Sequence, residues 1–555
     1  MKVDDVIANA FLKEGATDVF GLLGDSQMKW WAAMSAAGTR MIDARDEGAA
    51  LAMADGWARA TGKAGVCSVT HGPGVSRLAT SLIMGARYRV PLVIHSGTTG
   101  LNRENAMQYL DQGPLVTATG AGYIEVQRPD YAENAVRQAF YRARREARPI
   151  VLSIPIDVQT QDAAGGGDDY VPSWKMFPGQ QRIRPEVEQL DAAVEIIASS
   201  KTPVILVGRG AMQPETQQVI DRLGKRIGAL IAPTLHAKGV LGESDFYAGI
   251  AGLFSTRTFI QLCAEADCVI AIGTSMNNYS VLVKGKPLYP NARVVHVDVA
   301  PHMMMGNGRG ADCYVQGDAG VTAQLLEEIL ARRNISQIGF RTPAIKKALL
   351  EAGRDPSEIE IEPGTVDPRE AARILDEHLP SNVGLVVGDG HFMSFPTMLM
   401  KRPRAPHVFA TAFGSIGQGL STAIGVCVGT NQPVLCVEGD GGALQNIQEL
   451  DTAARLGVKL LFVVMNDEAY GAEYHKLKVK KMNEKLSSVR APNFAKVAEG
   501  FGCKGRIAHT PEDIARAADE FMAAGNDGGP MLIDVKMSRS VVSIPYQRMH
   551  FGADV

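Results

Sequence analysis

The sequence predicts an α/β protein of three domains built on parallel sheets, and three observations carry that prediction. Short apolar, β-branched runs bounded by glycine or polar residues recur along the 555 residues and alternate with helical stretches. Two polar stretches, AAGGGDDYVPS and EAGRDPSEIEIEPGTVDP, divide that alternation into three segments. The outer segments repeat one local design: a small-residue helix, a strand and a glycine turn follow one another in EGAALAMADGWARATGKAGVCSVTHGPG and again in IGQGLSTAIGVCVGTNQPVLCVEGDGG.

The first segment, 1–168, places strands at DVFGLLG, GVCSVTHGPG, LVIHSG and PIVLSIP. The middle one, 184–341, places them at PVILVGRG, CVIAIGTS and RVVHVDV. The last, 366–555, has GLVVGDG, HVFAT, PVLCVEGDGG, KLLFVVMND and PMLIDV. Its final stretch, SRSVVSIPYQRMHFGADV, reads as a lid or as a strand with a frayed end. A net charge of -3 leaves no footprint for nucleic acid or an anionic membrane. No apolar run of about 18 residues occurs, and MKVDDVIANAFLKEG reads as an amphipathic helix, not a signal peptide. Seven cysteines in apolar surroundings read as buried thiols in a reducing compartment, so a cytoplasmic location is expected.

The most informative stretch is 434–471. VLCV and LLFVVM read as neighbouring buried parallel strands, and NIQELDTAARLG as the helix between them, stopped at Gly457. Asp440 and Asp467 each stand just past a strand, where ligands of open parallel sheets collect, with the amides of Gly439, Gly441 and Gly442 beside them. Two hard oxygen ligands next to such a nest suit Mg²⁺ carrying a diphosphate. The alternative is a glycine-rich turn with two solvated aspartates.

GDG followed by MNDEAYG resembles the cofactor motif of thiamine diphosphate enzymes, and RDEGAALAMADGWAR is similar to that family's glutamate segment. The resemblance covers nearly the whole chain. It implies three doubly wound parallel-sheet domains, pyrimidine-binding, middle and diphosphate-binding, in a homodimer or homotetramer whose active site lies between subunits. It also implies thiamine diphosphate with Mg²⁺, the metal held by Asp440, Asp467 and the Ala469 carbonyl; Asp467 stands where the family usually has asparagine. Gly390, His391, Phe392, Gly439, Gly441, Gly442, Ala469, Tyr470 and Gly471 fall on the diphosphate-binding positions, although His391 also reads as a capping residue. Gly414 and Ile416 fall on the pyrimidine edge, with Ile416 as the wedge that bends the cofactor or, more simply, as core.

Glu47 falls on the glutamate that exchanges a proton with the cofactor pyrimidine. Lying among small apolar residues, it is expected to be desolvated and protonated; a first-turn carboxylate favoured by the helix dipole is the other reading. Gln108 falls near the thiazolium and reads otherwise as a helix-surface glutamine. Glu473 matches a glutamate beside the reacting carbon or, alternatively, pairs with Lys476. FGLLGDS, with Asp25 and Ser26, and GPGVSR, with His71 before it and Arg77 at its end, depart from acetolactate synthase patterns, as does Lys476. Gly208 and Gly210 make a weak nucleotide motif, and Asn277 and Asn278 replace a charged run, so an empty middle domain is favoured over FAD. The implied reaction is decarboxylation of a 2-oxo acid with transfer of the acyl carbanion to a carbonyl acceptor, as in acetolactate synthase-like enzymes. A lyase of 2-hydroxy ketones or 2-hydroxyacyl-CoA, and a non-catalytic nucleotide-binding protein, are the alternatives.

Overall fold

The computed structural model describes residues 1–101, 104–163, 169–179, 181–301, 308–352, 357–401 and 406–552. The predicted end of the first domain at 168, parts of both polar linkers and the last three residues of the tail lie outside the described residues. The first sheet has six strands in the order Arg40–Asp43, Asp18–Gly21, Gly65–Val69, Leu92–Thr98, Pro149–Pro155 and Gly122–Glu125. The last also has six, in the order His407–Phe409, Gly384–Val387, Val434–Gly439, Leu460–Asn466, Met531–Lys536 and Lys504–Ala508. Counted from the first strand of each sheet, both read 2-1-3-4-6-5, so the repeat visible in the sequence extends to the whole topology.

Between them stands a five-stranded sheet, ordered Cys313–Gln316, Arg293–Asp298, Cys268–Ile272, Pro203–Val207 and Leu230–Pro233. Every pairing in the three large sheets is parallel, while a small hairpin, Leu282–Val283 with Lys286–Pro287, is antiparallel. Central strands such as Leu460–Asn466 are buried along their whole length, which is why they read as unbroken apolar runs. All seven cysteines are buried free thiols. Among the described residues no helix is long and apolar enough to cross a membrane.

Two helices bring the outer domains together: Glu47–Thr61 and Gly419–Thr430, each of them the small-residue helix of its repeat. They cross backbone to backbone. A Cβ on Gly56 would lie 2.1 Å from the Thr422 carbonyl oxygen, and one on Gly425 would lie 1.9 Å from the Met53 carbonyl oxygen. The small residues are therefore required by the crossing itself.

The helix expected over 446–457 begins only at Glu449, and another, unexpected helix precedes it over the glycine turn. Asp440–Asn446 forms one helix and Glu449–Leu456 a second, stopped as expected at Gly457 in the left-handed region. The break follows Asn446, whose side-chain Nδ2 donates to the Gly417 carbonyl.

Candidate functional site

Parallel register sets the site. Gly439 pairs with Met465, so Asp440, one residue beyond the first, and Asp467, two beyond the second, leave the sheet at the same edge. Both are buried, at 2% and 5% exposure. Asp440 Oδ1 accepts the Gly441 amide at 2.7 Å, whereas Asp440 Oδ2 is buried with no protein partner. Asp467 Oδ1 accepts the Ala469 amide at 3.1 Å, across a turn that puts Glu468 at φ 55. Asn466 braces this turn by accepting the Glu468 amide at 3.2 Å and donating to Asp534 at 2.8 Å.

Burial raises both aspartates well above the usual carboxylate range, and Asp467 is raised further by the charge of Asp440. Two buried carboxylates side by side, one with an unmatched oxygen, fit a hard divalent cation. Among the described residues no group of three or more His, Cys, Asp and Glu gathers as a metal cluster. A cation here would draw on two carboxylates, a backbone carbonyl and the oxygens of its own ligand.

One cleft unites Asp440 and Asp467 with Gly390, His391, Phe392, Ile416, Gly439, Gly441, Gly442, Ala469, Tyr470, Gly471 and Glu473. Its glycines are held by tight packing. A Cβ on Gly441 would meet the Tyr470 ring at 2.6 Å, and one on Gly442 would meet Glu438 Oε1 at 2.5 Å. Both positions must therefore be glycine, and a run of glycines at a strand end is the kind of backbone that can turn its amides to a phosphate. Ile416 faces the cleft and is only half-buried, so it is not core. Gly414 lies close by: a Cβ there would be 3.8 Å from Asp389 Oδ2. His391 is buried, and its Nε2 accepts the Ser543 amide at 3.0 Å. Glu473 stands at the rim with its side chain 57% exposed and pairs with Lys476 at 3.4 Å.

Two carboxyls of this region were not singled out in the sequence. Glu438 is buried behind the glycine loop, accepts the Gly419 amide at 3.1 Å and is pushed up to about 8 by burial. Asp389 lines the cleft itself and is pushed up to about 6, again by burial. The only sequence signal for either is an acid interrupting a strand end next to glycine.

The first domain gathers a separate group. Glu47 begins its helix near the GPG turn: a Cβ on Gly74 would be 3.6 Å from Glu47 Oε1. Contrary to the expectation of a purely apolar setting, Arg77 Nε reaches Glu47 Oε2 at 3.2 Å. Gln108 belongs to a loop, not a helix, and its backbone presses on Gly72, where a Cβ would be 2.3 Å from the Gln108 carbonyl oxygen. Ser26 is buried and accepts the His71 amide at 3.1 Å, whereas Asp25 is exposed. No residue of this group lines the cleft of the last domain.

In the middle domain, Gly208 and Gly210 pack onto the facing loop. Cβ atoms there would lie 2.1 Å from the Gly273 carbonyl oxygen and 2.9 Å from its Cα. That contact accounts for both glycines without a ligand.

Comparison with known proteins gives three domain matches. Residues 1–115 match the thiamine pyrophosphate enzyme N-terminal TPP binding domain, 190–327 its central domain and 387–535 its C-terminal TPP binding domain. A sulfoacetaldehyde acetyltransferase of Castellaniella defragrans is 25% identical, over 99% of this chain and 95% of that protein. An acetolactate synthase large subunit of Haemophilus influenzae is also 25% identical, over 98% and 96% respectively. The solved structure of a Rhodococcus jostii RHA1 thiamine diphosphate-dependent 4-hydroxybenzoylformate decarboxylase superposes with a TM-score of 0.81. It covers 97% of this chain and 99% of that one at 21% identity, and so speaks for the fold.

Proposed function

The chain belongs to the thiamine pyrophosphate enzyme family, and from that membership we propose an Mg²⁺-dependent enzyme that forms or cleaves carbon–carbon bonds, decarboxylating a 2-oxo acid and transferring the acyl unit to a carbonyl acceptor. The observation that carries this reading is the buried, unpartnered Asp440 Oδ2 beside Asp467 in a glycine-rich cleft.

When bound, thiamine diphosphate supplies an electron sink next to the substrate carbonyl carbon. Asp440, Asp467 and the Ala469 carbonyl hold the cation. The turns at Gly390, Gly439, Gly441, Gly442 and Gly471, with His391 as a donor and Phe392 and Tyr470 as walls, hold the diphosphate. The Gly414 carbonyl and the Ile416 amide would hold the pyrimidine edge, with the Ile416 side chain as an apolar support beside it. Glu47 holds and moves the proton at the pyrimidine ring nitrogen, Gln108 orients the substrate carbonyl, and Glu473 transfers a proton to or from the substrate.

The separation of Glu47 from the cleft supports a site completed by a second copy, hence a homodimer or homotetramer. The substrate is a small 2-oxo acid or 2-hydroxy ketone, and the packing of Gly208 and Gly210 supports a middle domain without FAD. We place the enzyme in the cytoplasm on the strength of its buried free thiols.

The test is turnover of pyruvate and a panel of 2-oxo acids by the protein with thiamine diphosphate and Mg²⁺, reading CO₂ and the 2-hydroxy ketone product. Cleavage of a 2-hydroxy ketone or 2-hydroxyacyl-CoA, with no 2-oxo acid consumed, replaces this reading with the lyase. Absence of all turnover and of cofactor binding replaces it with a non-catalytic nucleotide-binding protein.

A further inference from the structure

We propose that the C-terminal segment fixes the ring proton of His391 on Nδ1, through the backbone N–H of Ser543, and so makes that histidine a hydrogen-bond donor to the cofactor diphosphate. The inference rests on the cofactor reading above and adds a positioning role for a segment outside the three matched domains, the last of which ends at residue 535.

A backbone amide can only donate. With Ser543 N 3.0 Å from His391 Nε2, that ring nitrogen must present its lone pair, and the single proton of the neutral ring lies on Nδ1. His391 Nδ1 is buried without a protein partner in a ring that lines the cleft with Asp440 and Asp467. A buried donor left unmatched is costly, and an anionic phosphate oxygen is the partner that matches it best.

The donating amide is itself held from both sides. Upstream, Ser538 Oγ donates to Glu362 at 3.1 Å and Ser540 Oγ to the Glu360 carbonyl at 2.8 Å. Downstream, Arg548 Nη1 donates to the Leu253 and Ser255 carbonyls of the middle domain at 2.8 and 2.7 Å. Tyr546 packs edge-on against the His391 ring, with centroids 4.9 Å apart. Ring rotation, which would release Nε2, is thus opposed by an aromatic neighbour and by the anchored backbone.

The experiment uses the full chain. Long-range ¹⁵N–¹H spectra of the histidine rings without cofactor, assigned by loss of one signal set in His391→Gln, report the tautomer directly and need no other variant. Ser543→Pro removes the single N–H at a residue whose φ is already -65, and Ser543→Ala keeps it. We expect the Nδ1–H form in wild type and Ser543→Ala, and its loss in Ser543→Pro. Affinities for Mg²⁺–pyrophosphate and Mg²⁺–thiamine diphosphate, by calorimetry, should both fall about tenfold to a hundredfold in Ser543→Pro alone, as for loss of a charge-assisted bond. A wild type that binds both probes with the proton on Nε2, or a folded Ser543→Pro with unchanged tautomer and affinity, overturns the inference alone. A wild type with the Nδ1–H form that binds neither probe overturns the cofactor reading, and the donor role with it.

Discussion

Arg77 Nε lies 3.2 Å from Glu47 Oε2, and the same guanidinium also pairs with Asp46, the residue that caps the Glu47 helix. A cation therefore touches the glutamate to which the proton-transfer role is assigned. With the Arg77 side chain 60% exposed, solvent screens the pair, and Arg77→Ala should change unfolding stability by less than about 1 kcal/mol in denaturant titration.

Glu47→Gln keeps the shape and removes the titratable group. We expect turnover to fall by roughly two to four orders of magnitude, with thiamine diphosphate affinity changed only a few-fold. Full activity in this variant would refute the proton role.

At the proposed cation site, Asp467→Asn should relieve the repulsion with Asp440, raise the melting temperature of the cofactor-free protein and still bind cofactor through an amide oxygen. Asp440→Ala should lose Mg²⁺-dependent cofactor binding by about a hundredfold or more, measured by titration at fixed Mg²⁺. Equal affinities in the two variants would count against Asp440 as the principal ligand.

Glu449 gives a pH signature independent of the cleft. Fully buried beside the Arg45 amide, it is pushed up to about 7 from 4.5 by burial. Between those values the folded state keeps a proton that the unfolded chain has released. Its contribution to stability therefore falls as pH rises through that window and is flat above it. Glu449→Gln should flatten the stability–pH curve there by on the order of 1.4 kcal/mol per pH unit. An unchanged slope would rule this group out as its source.

Gly425→Ala puts a methyl group where the Met53 carbonyl oxygen is 1.9 Å away. Neither helix backbone can yield locally, so we expect a loss of about 3 kcal/mol or more, seen as a lower thermal midpoint or failure to fold. A variant as stable as wild type would mean that the crossing tolerates separation.

The central strands were legible in the sequence because burial on both faces makes them continuous apolar runs. In the three large sheets five strands were not: Arg40–Asp43, Gly122–Glu125, Leu230–Pro233, Cys313–Gln316 and Lys504–Ala508. Each lies at the edge of its sheet, is four or five residues long, and all but Leu230–Pro233 mix buried positions with partly or fully exposed ones. Asp440 and Asp467 could be read because strand ends are marked locally. The Arg77–Glu47 pair, the Glu438 pocket against Gly419 and the Ser543–His391 bond depend on residues far apart in sequence, and no local pattern announces them.

The crossing of helices Glu47–Thr61 and Gly419–Thr430 also decides what can move. With carbonyl oxygens filling the space a methyl group would need, the two helices can neither slide nor roll without collision. Relative motion of the outer domains of one chain is therefore opposed at this crossing by direct backbone contact. Parts that the crossing does not clamp include the loop carrying Gln108, the helix Gly471–Val479 with Glu473, and the C-terminal segment over His391. A turnover limit set by motion would be sought in those three places.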